Sequence, residues 1–245
     1  MEYYGWLLAG AAAGGFVNGL AGFGTALFAL GFWLQILPPV QAVSISIAMS
    51  LVSGIPGALL VRHTIKANAV RLGRFVIPGL FGVPVGMALL TGLNPSILKI
   101  AIACLLILYG GFFTIARTLP KFERPVPAGD GLIGFMGGVL GGAASLSGVL
   151  PTMWCALRPW TKIEQRAVLQ PFNLAMLGFA AVGFAWSGYY TLDVLKVIAL
   201  ALPMTMLSSQ LGMAIFKLLD DLQFRRLLIG LMLVSGIMIF IREMI

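Results

Sequence analysis

From Gly5 to Leu37 the chain carries no charged side chain. A run of that length can cross a bilayer as a helix, which needs about 20 apolar residues. Its centre, however, holds Gly14, Gly15, Gly19, Gly22 and Gly24. Each glycine inside a helix costs about 1 kcal/mol relative to alanine, so the pattern predicts a helix broken within the hydrocarbon. A second uncharged stretch, Gly137 to Gly148, repeats the feature. Broken apolar segments at corresponding places of two halves point to the binding site of a transporter.

Composition places the chain in lipid. It is 60% hydrophobic and 10% charged over 245 residues, with mean hydropathy +1.01, whereas soluble domains carry about 25% charged residues. The net charge of +8 does not make a nucleic-acid binder, because the basic residues lie between apolar spans and not along one polar face. Cys104 and Cys155 stand apart in apolar surroundings, with no spacing for a metal or a disulfide framework. No cofactor is expected. The first residues, Met1-Glu2-Tyr3-Tyr4, lack the basic region of a cleavable leader.

The chain reads as one transmembrane domain, 1–245, built from repeat one (5–117), a linker (118–130) and repeat two (131–245). After the first broken run, the predicted spans are Val40 to Val61, Phe75 to Leu93 and Ile97 to Ala116. After the second, Gly131 to Leu157, they are Ala167 to Gly188, Val197 to Phe216 and Leu227 to Ile241. A shift of 123 to 126 positions aligns the halves: Gly14-Gly15 on Gly137-Gly138, Val85-Gly86-Met87-Ala88 on Leu211-Gly212-Met213-Ala214.

Loop charge chooses the topology. If all eight segments cross, alternate loops carry nine and seven basic residues. If each broken run enters and leaves by one face, the segments 62–74, 117–130, 158–166 and 217–226 fall together. That side then holds thirteen lysines and arginines, against Lys99, Lys196 and Arg242 on the other. The second arrangement obeys the positive-inside rule. The fold class expected is therefore an all-α polytopic membrane protein of two inverted repeats. Each repeat is a broken, re-entrant glycine-rich hairpin followed by three transmembrane helices.

A half-helix that starts at a break turns free N–H groups and about half a positive charge into the bilayer. Two such ends make an electropositive site for an anion. The substrate-binding residues expected are Asn18, Gly22, Gly24, Thr25, Ser145, Ser147 and Gly148 at the breaks, with Gln170 and Asn173 on the next span of the second half. Ser44, Ser46, Ser50, Ser53, Ser208, Ser209 and Gln210 are secondary candidates. Glycine clusters also serve close helix packing, and Gly82, Gly86, Gly178 and Gly183 are assigned to that. No acidic residue lies deep in a span and the one histidine, His63, is in a loop, so no dedicated proton carrier is expected.

At these motifs the chain resembles the sulfite exporter TauE/SafE family. The resemblance rests on the glycine-rich opening of each half (14–25 and 137–148), on Ala42-Val43 and Ala167-Val168 opening the next span, and on Leu105-Leu106-Ile107-Leu108-Tyr109-Gly110. It implies transport of small sulfur-containing anions such as sulfite, sulfonates or sulfoacetate in the bacterial inner membrane, and a negative interior would favour their export. A passive anion channel and an uptake permease for sulfonates are the alternatives. A serine protease is excluded for want of a histidine base on a neighbouring helix. The partners expected are a small anion and membrane lipid, with a homodimer left open and no nucleic acid.

Overall fold

The computed structural model describes residues 2–92, 122 and 124–244, together with 100, 103, 104, 107 and 111. Among the described residues there are helices and turns but no strand. The first half contains α1 (Glu2–Ala21), α2 (Thr25–Trp33), α3 (Pro39–Leu60), α4 (Arg62–Ala67) and α5 (Ala69–Gly92). The second contains α6 (Pro127–Ala144), α7 (Val149–Ala156), α8 (Lys162–Trp186), α9 (Leu192–Leu218) and α10 (Asp221–Met244). The expected span Ile97 to Ala116 and the Leu105–Gly110 motif lie almost wholly outside the described residues.

Local chemistry sets these boundaries. Pro39 and Pro127 open α3 and α6, where a missing N–H costs nothing. Thr161 and Glu164 form a capping box that starts α8, and Thr191 caps α9 through the Val194 N–H at 3.4 Å. The helices α3, α8 and α9, and α5 from Ala69 to Thr91, are long and apolar enough to cross a membrane.

The two glycine-rich runs are each a pair of antiparallel helices. The Trp33 indole N–H donates to the Leu7 carbonyl at 3.0 Å, so the end of α2 returns to the second turn of α1. The Trp154 indole N–H reaches Asp130 at 2.7 Å, so α7 likewise returns to the start of α6. The interruptions are narrower than the glycine clusters suggested. Gly14, Gly15 and Gly19 lie inside α1, and Gly137, Gly138, Gly141 and Gly142 inside α6. The breaks themselves are 22–24 and 145–148.

The helical glycines serve close approach instead. A Cβ on Gly19 would lie 1.9 Å from the Ser209 carbonyl oxygen, and one on Gly138 would lie 2.0 Å from that of Gly79. Through such contacts α1 runs parallel to α9, and α5 runs parallel to α6. Along α1, Gly15 meets Thr205 and Ser208, and Gly19 meets Ser209; along α6, Gly134 meets Phe75, and Gly138 meets Gly79. The two crossings match in detail. A Cβ on Gly86 would sit 2.0 Å from Val139 O and 2.8 Å from Ala143 N; one on Gly212 would sit 2.1 Å from Phe16 O and 2.8 Å from Leu20 N. Val139 and Ala143 follow Phe16 and Leu20 by 123 positions, and Gly212 follows Gly86 by 126. The middle pair, α3 and α8, is antiparallel: Gly57 meets Arg166, Gly54 meets Gln170 and Leu174, and Gly178 meets Leu51.

Two expected loops are helical. Arg62 to Arg74 forms α4 and the start of α5, and Lys162 to Arg166 opens α8. Arg166 is consequently a helical residue and is buried, and Arg158, in the 157–161 connection, is buried as well.

Because the α5–α6 crossing leaves no room for a side chain, Gly138→Val should destabilise the protein by about 1–3 kcal/mol or more. Gly73, with nothing within 4 Å of a Cβ, should tolerate alanine without loss. Thermal unfolding of the detergent-purified protein checks this, and equal midpoints for the two variants would contradict the crossing.

Candidate functional site

The tips of the two hairpins meet. Break one runs Gly22-Phe23-Gly24 between α1 and α2, with φ of +85° at Gly22 and +96° at Gly24. Only glycine takes such angles readily, so Phe23 is held between two backbone pivots. Break two runs Ser145-Leu146-Ser147-Gly148 between α6 and α7. There Ser145 stands at φ 58°, the one non-glycine residue with positive φ among those described. The Ser145 N–H bonds the Gly141 carbonyl at 2.9 Å, the 5→1 bond of a left-handed helix cap, and the Leu146 N–H closes back on the Leu140 carbonyl at 3.1 Å. Phe23 lies against Gly148, where a Cβ would come within 2.5 Å of its own Cβ. Phe23, Leu20, Leu27, Leu146, Val149 and Phe216 join in one buried cluster around this contact.

Both short helices start at the tips without a side-chain cap, at Gly24 and at Gly148. Their first residues, Thr25 and Val149, are fully buried. Each break also brings the C-terminal end of a longer helix, α1 at Ala21 and α6 at Ala144. The negative end of one helix dipole therefore sits beside the positive end of the other.

The sequence-predicted residues surround the tips. Asn18, on the last turns of α1, donates to Ser53 Oγ at 2.6 Å and to the Ser50 carbonyl at 3.3 Å. Ser147 donates a short hydrogen bond to Asn173 Oδ1. Gln170 donates to the Gly54 carbonyl at 3.1 Å. A Cβ on Gly22 would come 2.8 Å from Gln170 Oε1, so that side chain touches the first break. The pore-lining candidates on α8 thus serve one break each, Gln170 the first and Asn173 the second.

These groups are not satisfied by one another. Asn18 Oδ1, Thr25 Oγ1, Ser145 Oγ, Gln170 Oε1 and Asn173 Nδ2 are buried and have no hydrogen-bond partner. A polar group left so in an apolar interior costs on the order of 1–3 kcal/mol. Native structures hold few such groups unless they have work to do, and here five collect at two adjoining breaks. Of the secondary candidates, Ser44, Ser53 and Ser208 donate to the carbonyl four residues earlier, the ordinary habit of helical serine. Ser209 donates across to the Ser53 carbonyl at 3.3 Å.

Arg166 is the residue that the sequence reading placed elsewhere. It sits on the second turn of α8, 1% exposed. Its guanidinium donates to the Gly19 carbonyl at 2.7 Å and to that of Leu20 at 3.3 Å, the last turn of α1, and lies 4.3 Å over the Phe216 ring. A visible signal could have found it. Thr161-x-x-Glu164 is a capping box, which starts the helix at 162 and sets Arg166, Gln170 and Asn173 four and three residues apart on one face.

A second polar cluster lies apart from the tips. A cavity of about 300 Å³ is lined by Arg71, Arg74, Arg158, Asp130 and Trp160. Its charges are largely answered within the cluster: Asp130 pairs with Arg158 at 3.3 Å and Arg74 at 3.9 Å, and Arg71 with Glu164 at 3.8 Å. Among the described residues no cluster of His, Cys, Asp and Glu could hold a metal ion.

The contact of the tips predicts a coupled pair. Gly148→Leu should lower the thermal unfolding midpoint, and Phe23→Ala in the same chain should recover much of it, with a coupling of about 0.5–3 kcal/mol. Strictly additive effects in the double-mutant cycle would place Phe23 away from Gly148.

A comparison with protein families matches residues 6–239 to the family described as Sulfite exporter TauE/SafE. No curated protein matches the chain, and no solved structure matches it.

Proposed function

The chain belongs to the sulfite exporter TauE/SafE family, and from that premise we propose that it is a secondary transporter that exports small sulfur-containing anions, of the sulfite and sulfonate kind, across a bacterial inner membrane. The observation that carries the reading is the meeting of two helix breaks around five buried polar groups without partners. A transported anion, with its several acceptor oxygens, would take the Thr25 and Ser145 hydroxyls, the Asn173 amide and the free N–H groups at Gly24 and Gly148.

The repeats are read as inverted. The antiparallel α3–α8 pair and the matched crossings at Gly86 and Gly212 support this. Each hairpin, α1–α2 and α6–α7, would dip into the bilayer from its own face. The return of Trp33 to Leu7 and of Trp154 to Asp130 supports that geometry. The basic ends of α4, α5, α8 and α9 then face the cytoplasm. With a negative interior, moving one anionic charge outward is favoured by about 2.3 kcal/mol per 100 mV. A carrier suits the closed contact of Phe23 on Gly148 better than an open channel does, because the tips must part before anything passes.

Purified protein in liposomes should show saturable flux of radiolabelled sulfite or an alkyl sulfonate. Gly24→Val and Asn173→Leu should each reduce it by about tenfold or more while inserting normally. Flux that never saturates would favour the channel, and unchanged flux in both variants would remove the site from the tips.

Cysteine labelling tests the topology on a background free of Cys104 and Cys155. A cysteine at Arg124 should react only from the cytoplasmic side, and one at Gly188 only from the outside. Labelling of both from one side would defeat the arrangement.

A further inference from the structure

The charge balance at the tips has one formal member. Each break carries a helix C-terminus and a helix N-terminus, whose partial charges oppose within a few residues. The side chains gathered there, Asn18, Thr25, Ser145, Ser147, Gln170 and Asn173, are neutral. Among the described residues, Arg166 is therefore the single full charge at the site. Among the described residues no ion pair reaches it; the carboxylates of Asp130, Glu164 and Asp193 pair with Arg71, Arg74, Arg158 and Lys196. Its two terminal nitrogens rest on neutral carbonyls of α1, and its Nε is buried with no partner. A buried cation without a counter-ion is costly in a membrane-embedded segment and marks a functional position.

The same face of α8 gives it a route to the cytoplasmic end. Lys162, one turn earlier, lies 5.1 Å over the Phe216 ring that Arg166 covers at 4.3 Å. One turn later stands Gln170, with its Oε1 at break one and no partner. Lys162, Arg166, Gln170 and Asn173 thus form a polar ladder from the start of α8 to the second break.

We propose that Arg166 is the counter-charge of the transported anion, and that it sets the substrate class as singly charged oxyanions of the sulfonate type. This rests on the transporter reading above. A bound monoanion neutralises the site, which lets the loaded tips close away from water. A dianion such as sulfate leaves one uncompensated negative charge there and is disfavoured.

Competition in the unmodified protein gives the first test. Sulfate should inhibit uptake of a radiolabelled alkyl sulfonate about tenfold or more less effectively than an unlabelled alkyl sulfonate does. The second test uses two variants in liposomes. Arg166→Gln keeps a donor for the α1 carbonyls but loses the charge, and should raise the KM for the sulfonate by about tenfold or more. Arg166→Lys keeps the charge and should stay within a few-fold. If Arg166→Gln fails to fold, the competition and the lysine variant still decide. Sulfate competing as well as sulfonate, or an unchanged KM in Arg166→Gln, would overturn the role of Arg166 while leaving the transporter intact. Absence of saturable flux for any anion in the unmodified protein would overturn both readings.

Discussion

A helix interrupted inside hydrocarbon exposes amides and carbonyls that water cannot reach. In this molecule two interruptions are brought tip to tip, and the surrounding helices supply what the backbone lacks. Arg166 takes the last carbonyls of α1, the left-handed cap at Ser145 closes α6, and the N-termini of α2 and α7 carry no side-chain cap. Asn18, Thr25, Ser145, Gln170 and Asn173 each keep a buried polar atom without a partner after these closures.

Packing follows from the same economy of space. Lipid offers no hydrophobic drive between helices, so association depends on close van der Waals fit. Gly19, Gly86, Gly138 and Gly212 let α1 lie on α9 and α6 on α5 with backbones touching. These two crossings hold the long arm of each hairpin against the other half of the chain. Each tip is thereby fixed by the half to which it does not belong.

The electrostatics differ from a simple pair of helix N-termini. Because each break pairs opposite helix ends, partial charges give orientation and donors more than net attraction. The full charge comes from Arg166, carried by α8 and not by the hairpins. Lys162 extends that charge toward the start of α8 over a shared aromatic face.

Much of this was legible in the residues. Hydropathy and the absence of charge from Gly5 to Leu37 specify helices suited to a membrane, since these depend on local composition and period. Family membership followed from motifs spread over nearly the whole chain. Three things waited for the tertiary structure. Glycine clusters mark both breaks and close contacts, and only the neighbouring helix distinguishes Gly22, at positive φ, from Gly19, packed on Ser209. Loop charge and buried charge look alike in sequence, so Arg166 was separable from Arg124 only once α1 was seen to cover it. The meeting of Phe23 with Gly148 joins residues 125 positions apart, and no local propensity encodes a contact that arises from how two hairpins pack.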